Sequence, residues 1–171
     1  ERVFPAGADA ARLPYAANIF DGVLVSHVFH LVADLPGVIS ELQRVIKPSG
    51  RLAHCWNTDD GALYDLRQAW KEGAGRSSDA RWQASYDVLG DNGWSKQSEQ
   101  TLEYVHPQAP MEIIQKFRDR IWSSTWNLTN QEHANGLAAM LAHAQASYAD
   151  LNMPVDVTHT FHVAVYTPPT S

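Results

Sequence analysis

Apolar residues along this chain follow two spacings. Three- and four-residue intervals, typical of amphipathic helices, occur in five stretches. These helical stretches are residues 34–46, 60–72, 78–89, 110–126 and 129–148. Short apolar runs or strict alternation, typical of strands, occupy residues 20–26, 51–56 and 155–166, and residues 96–105 are interpreted as a polar strand. The pattern therefore predicts an α/β protein with a sheet of about four strands and helices on both faces.

The first strand, helix and second strand form a βαβ unit. Phe20 to Ser26 is a continuous apolar run, which indicates a strand buried on both faces. Asp34 is placed to cap the helix, and Pro48 with Gly50 is expected to end it. We expect the two strands to be parallel with a right-handed crossover. The last two strands of the chain are expected to be antiparallel to each other, the earlier of them at a sheet edge.

Composition narrows the class of protein. The 171 residues carry a net charge of -6, and no stretch concentrates Lys or Arg, so neither a nucleic-acid nor a membrane face is expected. The single cysteine, Cys55, excludes an internal disulfide and favours a reducing, cytoplasmic compartment. We expect a single domain over residues 1–171, with a helical segment at 107–153 inserted before the last strand.

The amino terminus has the character of a cut end. It reads Glu1-Arg2-Val3-Phe4, with neither an initiator Met nor a basic and apolar leader. Residues 1–7 are interpreted as the end of a strand. The chain is therefore expected to be a fragment of a longer protein.

Residues 7–56 contain four short motifs in a fixed order. They are Asp9-Ala10, Leu13-Pro14, Phe20-Asp21 and the run from Glu41 to Gly50, ELQRVIKPSG. In order and spacing this stretch resembles class I S-adenosylmethionine-dependent methyltransferases, in particular the small-molecule group called type 11. That group has Glu-x-x-Arg-Val-x-x-Pro-Gly-Gly at the last motif, so Ser49 departs from it while Gly50 is kept.

The resemblance implies a Rossmann-like sheet with strand order 3-2-1-4-5-7-6. This chain would supply the tail of strand 3 and then strands 4, 5, 6 and 7, giving a partial sheet ordered 4-5-7-6 whose last strand is antiparallel. It would lack the glycine-rich turn and the acidic residue that hold the cofactor. The implied activity of the longer parent is methyl transfer from S-adenosylmethionine to a small organic acceptor.

The family's cofactor-binding positions correspond to Asp9, Ala10, Ser26 and His27. The Asp9 carboxylate would accept a hydrogen bond from the adenine amine, and the Ala10 backbone N–H would face a ring nitrogen. The backbone at Ser26 and His27 would lie along the methionine moiety, at the carboxyl end of a strand, where open α/β sheets bind ligands. The alternatives are a solvated loop aspartate and a hydroxyl that caps a strand end.

Catalytic chemistry here requires few groups. Displacement at a sulfonium depends mainly on alignment, with a base needed only when the acceptor must lose a proton. His27 and His30 are candidates for that base or for a substrate clamp, or they simply bond at the lip of a pocket. Trp56, Trp122 and Trp126 would stack on a planar acceptor, unless they fill the core. No histidine has a metal-ligand partner at suitable spacing, so no metal site is expected.

Two other functions remain open. The fragment alone could be catalytically inert and pair with itself or a partner through the strand Phe20 to Ser26, as a homodimer or by domain swapping. A nicotinamide-dependent enzyme is the third reading, which the helix ending at Pro48 and the final strand do not favour.

Overall fold

The computed structural model describes residues 3–58, 61–76 and 88–169. Its strands are β1 (Phe20–Ser26), β2 (Ile46–Thr58), β3 (Ser95–Gln108) and β4 (Val155–Thr167). Its α-helices are α1 (Leu35–Val45), α2 (Tyr64–Gly73), α3 (Pro110–Arg118) and α4 (Asn130–Ser147), with short 3-10 turns at Phe29–Leu31 and Ser123–Thr125. The α/β class is therefore confirmed.

The four strands form one sheet in the order β1-β2-β4-β3. β1 and β2 are parallel, with Val23 opposite Leu52 and Ser26 opposite Cys55. Contacts between β3 and β4 join Ser95 to Thr167, Glu99 to His162 and Tyr104 to His159. Residue numbers rise on β3 as they fall on β4, so this pair is antiparallel. The order is the expected 4-5-7-6.

Of the two end strands of this sheet, β1 is more exposed than predicted and β3 is as exposed as predicted. β1 was expected to be buried on both faces, yet its Leu24 is 69% exposed. The prediction was wrong because β1 is the last strand in the sheet order and only β2 pairs with it among the described strands. At the opposite end, β3 is exposed at every residue except Gln108, as expected for a polar edge strand.

Helix α1 begins as predicted but ends earlier. The Asp34 carboxylate accepts from the Gly37 backbone N–H at 2.9 Å, which caps the helix. The helix stops at Val45, and β2 starts at once, so Pro48 and Gly50 lie within the strand instead of in a separate turn. A Cβ on Gly50 would lie 3.0 Å from the Asp21 carbonyl oxygen. The second glycine of the family motif is thus needed where β2 passes close to β1.

The helix predicted over residues 110–126 is wrong beyond Arg118. Arg120 has φ 52°, a left-handed conformation that α-helical backbone cannot include. The chain turns there, and only Ser123–Thr125 forms a further helical turn. Ile121 and Trp126 are consequently exposed, and they do not continue the buried stripe of the helix.

Three other predicted elements are compared with the structure by their first and last residues. Residues 3–7 form no strand, and only an isolated bridge between Asp9 and Arg12 follows them. The predicted helix at 60–72 begins at Tyr64. Most of the helix predicted at 78–89 lies outside the described residues, although 88–91 are helical. Within the described ranges, no helix is long and apolar enough to cross a membrane.

The chain divides into two compact units. Unit 1 comprises the described parts of 1–56, 80–101 and 161–171, and unit 2 those of 57–79 and 102–160. The core of unit 1 packs α1 against apolar residues of β1, β2 and β4. The core of unit 2 packs α2, α3 and α4 around Trp70. A Cβ on Gly136 of α4 would lie 2.7 Å from the Trp70 indole nitrogen, so the missing side chain permits close helix packing.

Candidate active site

The adjoining carboxyl ends of β1 and β2 in unit 1 form the candidate site. Ser26 pairs with Cys55, and the next residue, His27, donates its backbone N–H to the Cys55 carbonyl at 3.1 Å. His27 has φ 54°, a left-handed conformation that is uncommon for a residue with a side chain. The chain therefore leaves β1 abruptly at His27. Such backbone geometry occurs often in binding and catalytic sites.

Four rings of unit 1 pack side by side near this turn and form the ring row: those of Phe29, His54, Trp56 and His162. Phe29, in the 3-10 turn after His27, has its ring 4.6 Å from the imidazole of His54. The His54 ring lies 4.9 Å from Trp56 on the same strand. Trp56 in turn stacks on His162 of β4 at 5.0 Å, with only 2° between the ring planes. His54 and Trp56 are two residues apart, so both side chains point to one face of β2.

His54 is the most perturbed ionisable group of this row. It is 3% exposed, and its Nδ1 has no hydrogen-bond partner among the described residues. Burial, with a smaller contribution from the nearby His27, lowers the pKa of His54 to about 4. The imidazole is therefore neutral at pH 7. Buried polar atoms without partners are uncommon in folded proteins, and they need a functional or solvent explanation.

His162, the last ring of this row, lies close to a carboxylate. Its Nδ1 is 3.8 Å from the Glu99 carboxylate of β3. His27 contacts the ring of Phe161 with centroids 6.5 Å apart. Cys55, on the opposite face of β2, is buried, and burial raises the pKa of its thiol. A buried protonated thiol is a poor nucleophile, which favours a packing role for Cys55.

Asp9 and Ala10 lie in a tight turn ahead of β1. The Asp9 carboxylate accepts from the Ala11 N–H at 3.0 Å, and the Asp9 carbonyl accepts from the Arg12 N–H at 2.9 Å. Asp9 is exposed, whereas Ala10 packs against the core of unit 1. The turn therefore presents a carboxylate to solvent from a backbone that is held by its own hydrogen bonds.

The predicted site residues fall into two groups. Unit 1 contains Asp9, Ala10, Ser26, His27, His30 and Trp56. His30 is half-buried in the 3-10 turn. Trp56 is mostly buried, and His162 covers one face of its indole.

The other two predicted tryptophans belong to unit 2. Trp122 packs edge-on against Phe117, and the Arg67 guanidinium lies 4.8 Å from its ring centroid. Trp126 is 58% exposed, and its indole N–H donates to the Arg120 carbonyl at 2.9 Å. Trp122 thus has the core packing that is the alternative to acceptor stacking.

Sequence reasoning missed Phe29, His54, Phe161 and His162 as neighbours at one site. The available signal was the alternation His54-Cys55-Trp56 at the carboxyl end of a strand, which places an imidazole and an indole on one face. The contact of Trp56 with His162 joins residues more than 100 positions apart, so no local pattern indicates it.

Known proteins resemble this chain in the same region. Residues 4–54 match a family model described as a methyltransferase domain. These residues therefore resemble part of a methyltransferase domain. Within that domain, the matched stretch contains the Asp9 turn, β1, α1 and most of β2 up to His54.

Known relatives match a similar length of chain. Demethylmenaquinone methyltransferase of Mycolicibacterium paratuberculosis is 39% identical over 64 residues, which is 37% of this chain and 28% of the relative. The biotin biosynthesis bifunctional protein BioHC of Cellvibrio japonicus is 38% identical over 64 residues, 37% of this chain and 12% of that protein. The match therefore covers under a third of the length of these relatives.

Solved structures resemble this chain over nearly its whole length. A proposed type II methyltransferase from Anaeromyxobacter dehalogenans superimposes with a TM-score of 0.65 at 15% identity, covering 97% of this chain and 72% of that one. A methyltransferase-like protein from Bacillus halodurans gives a TM-score of 0.53 at 16% identity, covering 95% and 70%. At these identities the likeness establishes the fold alone.

Proposed function

We propose that the protein containing this chain transfers a methyl group from S-adenosylmethionine to a small organic acceptor. The observation that carries the proposal is the left-handed turn at His27, where β1 ends beside β2 within the matched methyltransferase segment. Open α/β sheets bind their ligands at this edge, where two parallel strands end together.

The described residues fit part of the cofactor. An exposed carboxylate on Asp9 suits the adenine amine, because the carboxylate only accepts hydrogen bonds. The neutral imidazole of His54 adds no positive charge to a region that would receive a sulfonium. The Ala10 N–H and the backbone of Ser26 and His27 complete the proposed contacts. Bound S-adenosylmethionine supplies an activated methyl group on a positively charged sulfur.

The protein's own side chains would mainly orient the acceptor and exclude water. His27 is the proposed base for acceptors that lose a proton, with His30 as a clamp, because His27 directly follows the strand end. Phe29 and Trp56 contribute buried apolar surface near this end of the sheet. A cytoplasmic location is part of the same proposal.

Binding of S-adenosylhomocysteine tests the proposal directly. Calorimetry would be performed on the full-length protein, both as wild type and as the Asp9→Asn variant. Losing the carboxylate should weaken binding about tenfold, because a charge-assisted hydrogen bond is lost. Asp21→Asn is the control, since Asp21 is also exposed but pairs with Lys47 instead. No binding of the wild-type full-length protein to millimolar S-adenosylhomocysteine would refute the proposal.

A second candidate function is self-association through β1. It is supported by the position of β1 at the end of the sheet and by the exposed side chain of Leu24. An unpaired apolar strand edge favours pairing with another strand. Sedimentation of this chain should give a dimer that Leu24→Lys converts to monomer. A wild-type monomer at high micromolar concentration would argue against this role.

A further inference from the structure

The backbone between the Asp9 turn and β1 is attached to helix α1 by two side chains of unit 1. The Glu41 carboxylate accepts from the Leu13 N–H at 2.7 Å. The Arg44 guanidinium donates to the Tyr15 carbonyl at 2.9 Å and to the Leu13 carbonyl at 3.3 Å. Three backbone groups of this loop, the Leu13 N–H and the carbonyls of Leu13 and Tyr15, are thus held by charged side chains.

Glu41 and Arg44 also hold each other. Arg44 Nε donates to Glu41 Oε2 at 2.8 Å, and Arg44 Nη2 donates to Glu41 Oε1 at 2.6 Å. The hydrogen bond from Arg44 lowers the pKa of Glu41, and the reciprocal bond raises the pKa of Arg44. The Glu41 side chain is only 12% exposed. A two-bond pair in a fixed plane leaves neither side chain free to rotate.

Main-chain bonds anchor the far end of the same loop. The Asn18 N–H donates to the Arg44 carbonyl and the Ile19 N–H to the Val45 carbonyl, each at 2.9 Å. At the near end, the turn of Asp9 is closed by its own bonds. Leu13 follows that turn directly, so its contact with Glu41 is the point where the turn is attached to α1.

We propose that Glu41 and Arg44 are positioning residues that hold the Asp9–Ala10 turn in its cofactor-binding conformation. The inference rests on the proposed function. A loop that is already ordered loses less conformational freedom when the ligand binds, so its attachment increases affinity without touching the ligand.

The chemistry of this pair explains why the two residues are glutamate and arginine, three positions apart. That spacing puts both side chains on one face of α1. Arginine alone has enough donors in one plane to bond a carboxylate and two carbonyl oxygens together, whereas a lysine ammonium is a single point. The pair should therefore not tolerate Arg44→Lys, even though charge is kept.

The test compares the wild-type full-length protein with its Arg44→Lys and Arg44→Met variants. Lys47→Met is the matched control, since it removes a neighbouring ion pair with Asp21 that does not touch the loop. Hydrogen exchange measures the Leu13 N–H, and calorimetry measures S-adenosylhomocysteine affinity. Both Arg44 variants should speed exchange at Leu13 about tenfold and weaken binding about three- to tenfold, with β2 amides unchanged. The control should match the wild type.

Several outcomes would overturn the inference. Unchanged Leu13 exchange would show that the pair does not hold the loop. Faster exchange with unchanged affinity would show that the loop's order does not serve the cofactor. If Arg44→Lys behaved like the wild type, a positive charge at position 44 would be enough to hold the loop, and the planar guanidinium would not be needed. If the wild type itself binds no S-adenosylhomocysteine, the proposed function fails first, and the exchange result still reports separately on the attachment.

Discussion

In unit 1 the imidazole of His54 is buried between Phe29 and Trp56, and its Nδ1 has no hydrogen-bond partner in the described chain. In unit 2 the imidazole of His143 is partly exposed, and its Nε2 lies 2.8 Å from the Asp65 carboxylate. Tyr148 donates to the other oxygen of Asp65 at 2.9 Å. One unit buries an imidazole nitrogen without a partner, and the other places an imidazole in a bonded network.

The surroundings of His54 suit a residue that takes part in chemistry, whereas those of His143 suit a residue that stabilises the fold. A polar atom buried without a partner is costly, and such atoms are tolerated where function requires them. A bonded network between two helices serves mainly to fix their packing. Unit 2 also has buried ring nitrogens without described partners, on Trp70 and His133, but these belong to helices α2 and α4. Of these three described rings, His54 alone lies near the carboxyl end of a strand in a parallel pair.

Truncating Trp70 tests whether helix packing holds unit 2 together. Trp70 is buried against Phe117, so Trp70→Ala should lower the free energy of unfolding by about 3–5 kcal/mol. The control is Trp126→Ala, which removes an exposed ring with one hydrogen bond and should cost under about 1 kcal/mol. Urea denaturation measures both. Equal losses would mean that unit 2 does not depend on the core around Trp70.

Acidification tests the buried imidazole of unit 1. The folded pKa of His54, about 4, is below its ordinary value of 6.5, so the unfolded chain takes up the proton first. The stability contribution is therefore complete above pH 6.5 and is lost as the pH falls toward 4. Between pH 7 and pH 4.5 the wild type should lose about 2 kcal/mol of unfolding free energy that His54→Phe does not lose.

Urea denaturation of wild type and His54→Phe at both pH values measures this difference. His143→Phe serves as the control, because the His143 side chain is partly exposed and paired with a carboxylate. If the wild type and His54→Phe lost the same unfolding free energy between pH 7 and pH 4.5, His54 would not be held in a buried, neutral state. The contrast between the two histidines would then disappear.

The smallest expected effect concerns the network of unit 2. Partial burial pushes the pKa of Asp65 upward, but hydrogen bonds from His143, Tyr148 and a backbone N–H outweigh it, so the pKa is lowered. Tyr148→Phe removes one of these bonds. It should cost about 0.5 kcal/mol at pH 7, because the carboxylate is substantially exposed to solvent. Tyr64→Phe, on an exposed residue of α2, is the control.

The pH dependence of that effect has a definite direction. A lowered carboxyl pKa stabilises the fold above the ordinary value of 3.8, and the stabilisation is lost as the pH falls through the folded pKa. The difference between Tyr148→Phe and wild type should thus shrink in strong acid. A difference that grows there would contradict the network.

Local patterns predicted the fold well where local physics decides it. The cap at Asp34, the strand Phe20–Ser26 and the capping box at Thr129 follow from contacts within a few residues, and the structure contains all three. The left-handed backbone at Arg120 ended a helix that the apolar spacing extended to Trp126. Arginine carries no sequence signal for that conformation, unlike glycine or asparagine.

The candidate site was predictable only in part. The strand end at Ser26 and His27 follows from the motif order, and the structure brings it beside Cys55 of β2. The ring row needs partners from β2 and β4, whose pairing is set by sheet order instead of local sequence. The Arg44 contacts with Leu13 and Tyr15 have the same origin, because they join a helix to a loop about 30 residues away.

The exposure of β3 along nearly its whole length affects how the protein behaves at high concentration. Fourteen residues of open strand are a template for fibril growth unless the sequence opposes it. Lys96, Glu99 and Glu103 place charges along the strand, and Pro107 offers no amide donor to an incoming chain. We expect these residues to oppose strand pairing at this edge, so that replacing the three charged residues with apolar ones would promote aggregation.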